Sequence, residues 1–209
     1  MQIMKIEQFC VGQVATNCYF IINNETKEML IADPGDSAEM LADRIRREKL
    51  EPKAVLLTHG HFDHAMAAEE LAEMFGIKIY AHEAEKDTLE DPGKNVSLMI
   101  GSRDVYHADV YVKDKEVLNL AGMELKVLHT PGHTAGGCCY YLEKEKALFS
   151  GDTLFCQSVG RTDFPGGSMS GIVRSIKEKL MVLPDDVKVY PGHMDLTTIG
   201  AERAHNPYL

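Results

Sequence analysis

Residues 58–64 read THGHFDH, and the rest of the chain is understood from this stretch. It sets four metal-capable side chains, His59, His61, Asp63 and His64, within six consecutive positions. On extended backbone His59 and His61, two apart, project to the same side. Asp63 and His64 follow where the next helix is expected to start. This is not the HExxH arrangement, in which one helix face presents both histidines. Four ligands from one loop are also more than a single catalytic zinc takes, because such a site keeps a position open for water.

Working outward, five apolar runs end in turns that carry a glycine and a metal-capable residue. They are LIADPG with Asp33, VLLTHGH with His59 and His61, KVLHTPGH with His133, LFSGD with Asp152, and VKVYPGH with His193. Strand ends on one edge of a layered α/β fold converge, and such folds place their sites there. In THGH, TPGH and YPGH the glycine directly precedes the histidine, which allows a tight backbone path that a side chain would block. Sharing the candidates between two ions resolves the ligand count. His59, His61 and His133 would hold one ion, and Asp63, His64 and His193 the other, with Asp152 bridging. Two ions about 3.5–4 Å apart can share a hydroxide. A purely structural zinc site would be closed and thiolate-rich, unlike this set.

Around these turns the pattern alternates strands and helices. CYFII and MLIADPG are expected to pair through NNETKE. SAEMLADRIRREK has helical spacing at Met40, Leu41 and Ile45, with Ser37 as its N-cap. AVLLTHG is expected as a buried strand, followed by HAMAAEELAEMFG as one helix closed by Gly76, its methionines facing the core. GCCYYLE and ALFSGD pair across KEK; SGIVRSIKEKLMVLP is an amphipathic helix stopped by Pro184; VKVYPGH is the last strand. Residues 85–115 carry the weakest pattern and are expected as a long loop with a helix in it. A single α/β layered domain over residues 1–209 is the resulting expectation.

With 44 % apolar and 26 % charged residues among 209, the chain can bury a substantial core. Its net charge of −10 would repel a phosphate backbone, so no nucleic-acid partner is expected. No apolar stretch approaches the roughly 18 residues of a membrane span, and MQIMKIEQFCVG has no leader pattern, so the expected location is cytoplasmic. Five cysteines, with Cys138 and Cys139 adjacent and no CxxC pair, indicate neither a disulfide framework nor a zinc ribbon. His129 is expected as a hydrogen-bonded structural residue, His82 and His107 as solvated or capping, and His205 as a packing or hydrogen-bonding residue. Cys156 either lines the pocket or is a small buried hydrophobe. Arg161 either meets a substrate carboxylate or forms a salt bridge with Asp163.

THGHFDH, TPGHT at 130–134, SGDTLF at 150–155 and YPGH at 190–193 resemble, in order and spacing, the metallo-β-lactamase superfamily over essentially the whole chain. GRTDFPGG at 160–167 and the ending TTIGAERAHNPYL further resemble its glyoxalase II-like branch. The resemblance implies a four-layer αββα sandwich, two mixed β-sheets flanked by helices, with a dinuclear site on one edge. It implies the same ligand set of His59, His61, Asp63, His64, His133, Asp152 and His193, with Asp63 also catalytic. It gives Asp33 the role of orienting a metal-bound histidine. The implied reaction is hydrolysis of a small thioester by a hydroxide bridging two divalent ions, zinc by expectation, with iron or manganese compatible with these donors. Only 16 residues follow His193, so the C-terminal helical domain that helps full glyoxalase II enzymes bind glutathione is not expected. Persulfide dioxygenases share the fold and hold one iron through residues matching His59, His133 and Asp152; GRTDF occurs in them too. The glycine-bearing YPGH turn with His193, and the TTIG after it, favour the hydrolase. A lactonase is compatible with Asp63 and His64, whereas a β-lactamase would carry an export signal. Monomer and homodimer stay open.

Overall fold

The computed structural model describes residues 4–209. Its first sheet runs β1 (Met4–Val11), β2 (Thr16–Asn23), β3 (Glu28–Ala32), β4 (Glu51–Leu56), β5 (Lys78–His82) and β6 (Val110–Val112), neighbours in that order. The β1–β2–β3 pairings are antiparallel and the rest parallel. Helices α1 (Ala38–Glu48), α2 (Phe62–Ala65), α3 (Ala68–Phe75) and α4 (Lys86–Leu89) belong to its crossovers. The second half supplies β7 (Val117–Leu120), β8 (Met123–His129), β9 (Cys138–Leu142), β10 (Ala147–Gly151), a ribbon of β11 (Leu154–Phe155) and β12 (Ser158–Val159), helix α5 (Met169–Ser175), β13 (Lys188–Pro191), β14 (Thr197–Thr198) and α6 (Ile199–His205). Its sheet has the order β14-β13-β10-β9-β8-β7, with β10 and β13 parallel.

Strand burial explains why these segments pack as four layers. All eight residues of β2 are buried, a pattern expected of a strand covered on both faces. Cys18, Phe20 and Ile22 face a cluster with Leu41 and Ile45 of α1 and Leu71 of α3. Tyr19 and Ile21, on the opposite face, join Leu125, Val127, Tyr140 and Phe149 of the second sheet. In β9 the same alternation sends Cys138, Tyr140 and Leu142 between the sheets and Cys139 and Tyr141 toward Ile172, Ile176 and Ile199. Three apolar interfaces therefore separate helices, sheet, sheet and helices, as expected for an αββα sandwich. No helix among the described residues is long and apolar enough to cross a membrane.

Several local expectations need correction. The helix expected over 64–76 is two pieces, because the Ala67 N–H donates to the Pro34 carbonyl (3.0 Å) instead of the carbonyl one turn back. Gly76 does close α3, in a left-handed conformation at φ 65°. Ser37 occupies the N-cap position of α1 without a side-chain cap bond, Met40 of its apolar spacing is exposed, and Met66 is exposed rather than core-facing. The helix over 169–180 ends in a π-turn (Ile176–Leu180) before Pro184 is reached. Residues 85–115 hold α4 and a short 3₁₀ turn (Ser97–Ile100), but also β6, which extends the first sheet. VKVYPGH is followed by a further short strand, β14.

Phe149 is 1 % exposed between the sheets, edge-on to Tyr19 at 5.5 Å and stacked on Tyr190 at 5.1 Å. Phe149→Ala is expected to cost about 3–5 kcal/mol. Urea titration should show a lower midpoint with an unchanged slope.

Candidate metal centre

Asp33 follows β3 in a left-handed conformation (φ 50°), and its N–H donates to the Leu56 carbonyl at 3.0 Å. Its carboxylate therefore faces the loop after β4. Oδ1 accepts from the Thr58 N–H at 2.8 Å and Oδ2 from the Thr58 hydroxyl at 2.7 Å. That hydroxyl has one hydrogen, already given to Asp33, so at 3.2 Å it accepts from His59 Nδ1–H. His59 Nε2 is left with its lone pair facing inward. Asp33 Oδ2 also lies 3.0 Å from His64 Nδ1, an ion-pair distance, and His64 Nε2 faces the Asp63 and Asp152 carboxylates.

His133 reaches the same space from the loop after β8. Its Nδ1–H donates to the Arg161 carbonyl at 2.7 Å, which bares Nε2. His59 Nε2 and His133 Nε2 lie 3.1 and 2.9 Å from His61 Nδ1. Three tetrahedral ligands at about 2.0–2.1 Å from one ion would have nitrogens about 3.3 Å apart, so the cluster is close to metal-binding dimensions.

Beside it, Asp63 Oδ2 is 3.2 Å from His193 Nε2 and 3.6 Å from His64 Nε2, and accepts from the Thr16 hydroxyl at 2.9 Å. The Asp152 carboxylate touches both groups: Oδ2 is 3.4 Å from His133 Nε2 and 3.7 Å from His193 Nε2, and Oδ1 is 3.4 Å from His64 Nε2. Three overlapping triads could hold a metal: His59–His61–His133, His59–His64–Asp152 and Asp63–His64–His193. Asp152 Oδ1 and both ring nitrogens of His64 are buried without hydrogen-bond partners, and a cation between Asp152 and His64 Nε2 would relieve part of that cost. The donors are all imidazole nitrogen and carboxylate oxygen, and they fit divalent metal.

Electrostatics divide the site. Burial holds His61 down to about 3 and His59 well below its usual value, so these rings are neutral. Burial also pulls on His64, but Asp63, Asp33 and Asp152 outweigh it and raise its value well above the ordinary one. Burial would raise Asp63, yet His64 and His193 bring it to about 2. One half thus offers uncharged lone pairs and the other ionised carboxylates.

All seven residues proposed as ligands meet here, with Asp33 behind His64. His59 and His61 lie in the bend after β4 rather than on strand backbone, but their rings still converge. Arg161 lines the cavity, where its guanidinium is gripped by both Asp163 carboxylate oxygens at 2.7 and 2.6 Å. His129 stacks on His82 at 4.0 Å and bonds the Ala135 carbonyl, a structural role. His82 caps a turn through Ala84 N–H and is buried, not solvated. His107 pairs with Glu69 at the surface; His205 is exposed at the end of α6 and not packed. Cys156 is half-buried and is not among the residues lining the cavity, and Cys138 and Cys139 are buried in β9.

Glu85 was not singled out by the sequence, where it sits in the surface-like run HEAEKD. It is fully buried and joins the two histidine loops: Oε1 accepts from the Gly60 N–H at 2.9 Å, and Oε2 from the Gly136 N–H at 2.6 Å and the Thr134 hydroxyl at 3.0 Å. Gly60 lies between His59 and His61, and Thr134 follows His133.

Two mixed sheets covered by helices, with histidine and aspartate loops gathered into adjoining triads at one edge, define an αββα metal-site protein. The chain belongs to the metallo-β-lactamase superfamily, whose profile matches residues 11–193. It is 39 % identical to the hydroxyacylglutathione hydrolase GloC of Haemophilus influenzae, over 99 % of this chain and 98 % of that protein. The crystal structure of the BLEG-1 B3 metallo-β-lactamase superposes with a TM-score of 0.93 at 42 % identity, covering 98 % of this chain and 99 % of that one. TTHA1623 in a di-iron-bound form gives 0.85 at 33 % identity, covering 97 % and 100 %. Membership and the two-cluster arrangement point to a dinuclear metal site in a metal-dependent hydrolase.

Two outcomes are expected at Glu85. Glu85→Ala strands the buried Gly60 and Gly136 N–H groups, each costing about 1–3 kcal/mol, so thermal melting should show a lower Tm. Burial pushes the Glu85 carboxyl from 4.5 up to about 7, against the pull of its hydrogen bonds. The folded value lies above the unfolded one, so ionisation destabilises the fold. The penalty is absent below about pH 4.5 and complete above about pH 7, on the order of 3 kcal/mol. Glu85→Gln never ionises. Its stability relative to wild type, from denaturant midpoints, should therefore climb between pH 4.5 and 7; a constant offset would refute the account.

Proposed function

We propose that the protein is a dinuclear metal-dependent hydrolase that cleaves a small thioester. The observation that carries the reading is Asp152: one carboxylate lies within 3.7 Å of histidines from both clusters, the place of a ligand shared between two ions. Bound divalent ions would lower the pKa of a water toward about 7 and polarise the scissile carbonyl. His59, His61 and His133 would hold one ion, and Asp63, His64 and His193 the other. Asp33, acting through the Thr58 hydroxyl, and the Arg161 carbonyl fix the tautomers that keep His59 and His133 as lone-pair donors. Asp63 borders the cavity, where it can also accept a hydrogen bond from the attacking water, and that is the catalytic role assigned to it. The GloC relative supports a thioester as substrate. The di-iron TTHA1623 structure supports two ions and makes iron a candidate beside zinc; manganese also suits these donors.

The test is metal content by plasma mass spectrometry on protein purified without added metal or chelator, together with thioester cleavage read by free-thiol release. About two ions per chain are expected, falling toward one in His193→Ala. Cleavage should drop by about a hundredfold or more in His133→Ala and His193→Ala, since even removal of groups that only orient ligands costs about 10–100-fold. A single iron per chain, retained in His193→Ala, would overturn the reading in favour of a mononuclear persulfide dioxygenase.

A further inference from the structure

The cavity in front of the ligands has walls whose chemistry the reaction above leaves unused. It encloses about 530 Å³, within the roughly 300–1,000 Å³ of small-molecule sites. Val96, Phe155 and Val159 line it from buried positions, and Phe164 stands edge-on to His61 at 5.3 Å. Val14, Met99, Ile100 and Met194 also line it and are 48, 69, 49 and 57 % exposed. These come from three separate segments: the β1–β2 turn, the 3₁₀ turn at 97–100, and the residue after His193. Exposed apolar side chains gathered at one opening mark a binding surface, and methionine adapts its shape to what it covers.

Charge sharpens this. Apart from the proposed metal ligands, Arg161 is the one ionisable side chain lining the cavity among the described residues. Its guanidinium is forked by Asp163 and lies 4.0 Å over the Phe164 ring. A substrate carboxylate would find Nε and one terminal nitrogen of Arg161 already taken by Asp163 and only the other terminal nitrogen open to it. Glutathione has two carboxylates and an ammonium group; apart from the proposed ligands, the described residues lining the cavity offer them one arginine already half-engaged by Asp163 and no carboxylate.

We infer that the substrate places an uncharged, apolar group in this cavity, so that neutral apolar thioesters are preferred to glutathione conjugates; this rests on the thioesterase reading above. The test compares S-benzyl thioacetate with S-acetylglutathione, which share an acyl group, on the metal-loaded protein. The expected kcat/KM favours the benzyl ester by about tenfold or more, the scale of burying one apolar ring. Met99→Lys, which adds a cation at the mouth, should narrow that ratio. Equal or better cleavage of the glutathione ester overturns the inference and leaves the thioesterase reading standing. If neither ester is cleaved, the thioesterase reading fails, and calorimetry with the two thiols decides the cavity's preference. Benzyl mercaptan binding about tenfold tighter than glutathione sustains the apolar site; equal or weaker binding overturns it.

Discussion

The Asp33 carboxylate serves three groups at once. It receives the Thr58 N–H and hydroxyl, and it lies against His64 Nδ1. Because the Thr58 hydrogen is committed to Asp33, His59 must offer its Nδ1–H to the Thr58 oxygen, so one carboxylate sets the tautomer of His59 and adds negative charge beside His64. Its left-handed backbone costs roughly 1–2 kcal/mol for most residues, and aspartate is among the side chains that tolerate it. In return the chain leaves β3 in the one direction that puts a carboxylate behind the THGHFDH loop.

The surrounding electrostatics follow from where that loop is buried. Asp33, Asp63 and Asp152 crowd round one imidazole, His64, at the edge of an apolar sandwich, and unpaired buried charge is costly. In the metal-free protein a proton on His64 balances part of that charge, and divalent cations would balance more. The other half holds neutral rings whose lone pairs face one another about 3 Å apart. The glycines before the histidines keep these loops close. A Cβ on Gly192 would enter the space of the Asp152 carboxylate and the His64 ring, and one on Gly132, at φ 143°, would strike Ile172 at the start of α5's apolar face.

Strands buried on both faces were legible as continuous apolar runs: CYFII, AVLL and ALFSG all lie within or at the ends of observed strands. β1 was not, since Lys5, Glu7 and Gln8 break its apolar pattern along an edge strand. β6 has three residues, too few to show a period, and forms by pairing with β5. The break between α2 and α3 is invisible locally, because the competing acceptor, the Pro34 carbonyl, lies 33 residues away in the chain but 3.0 Å away in space. Glu85 looked like one more surface acid for the same reason: its partners belong to loops distant in the chain.

What the sequence determined by itself was the inventory and its proximity: His59, His61, Asp63 and His64 lie within six residues, so chain continuity holds them near one another in any fold. The glycine–histidine turns at strand ends also marked which edge would carry chemistry. Only the tertiary structure decided which nitrogen of each ring faces inward, that Asp152 reaches both clusters, that Asp163 already occupies Arg161, and that Glu85 fastens the histidine loops. These depend on contacts such as His61 to His133, 72 residues apart and 2.9 Å away. Their distances are set by how two sheets and their helices pack, which no local spacing encodes.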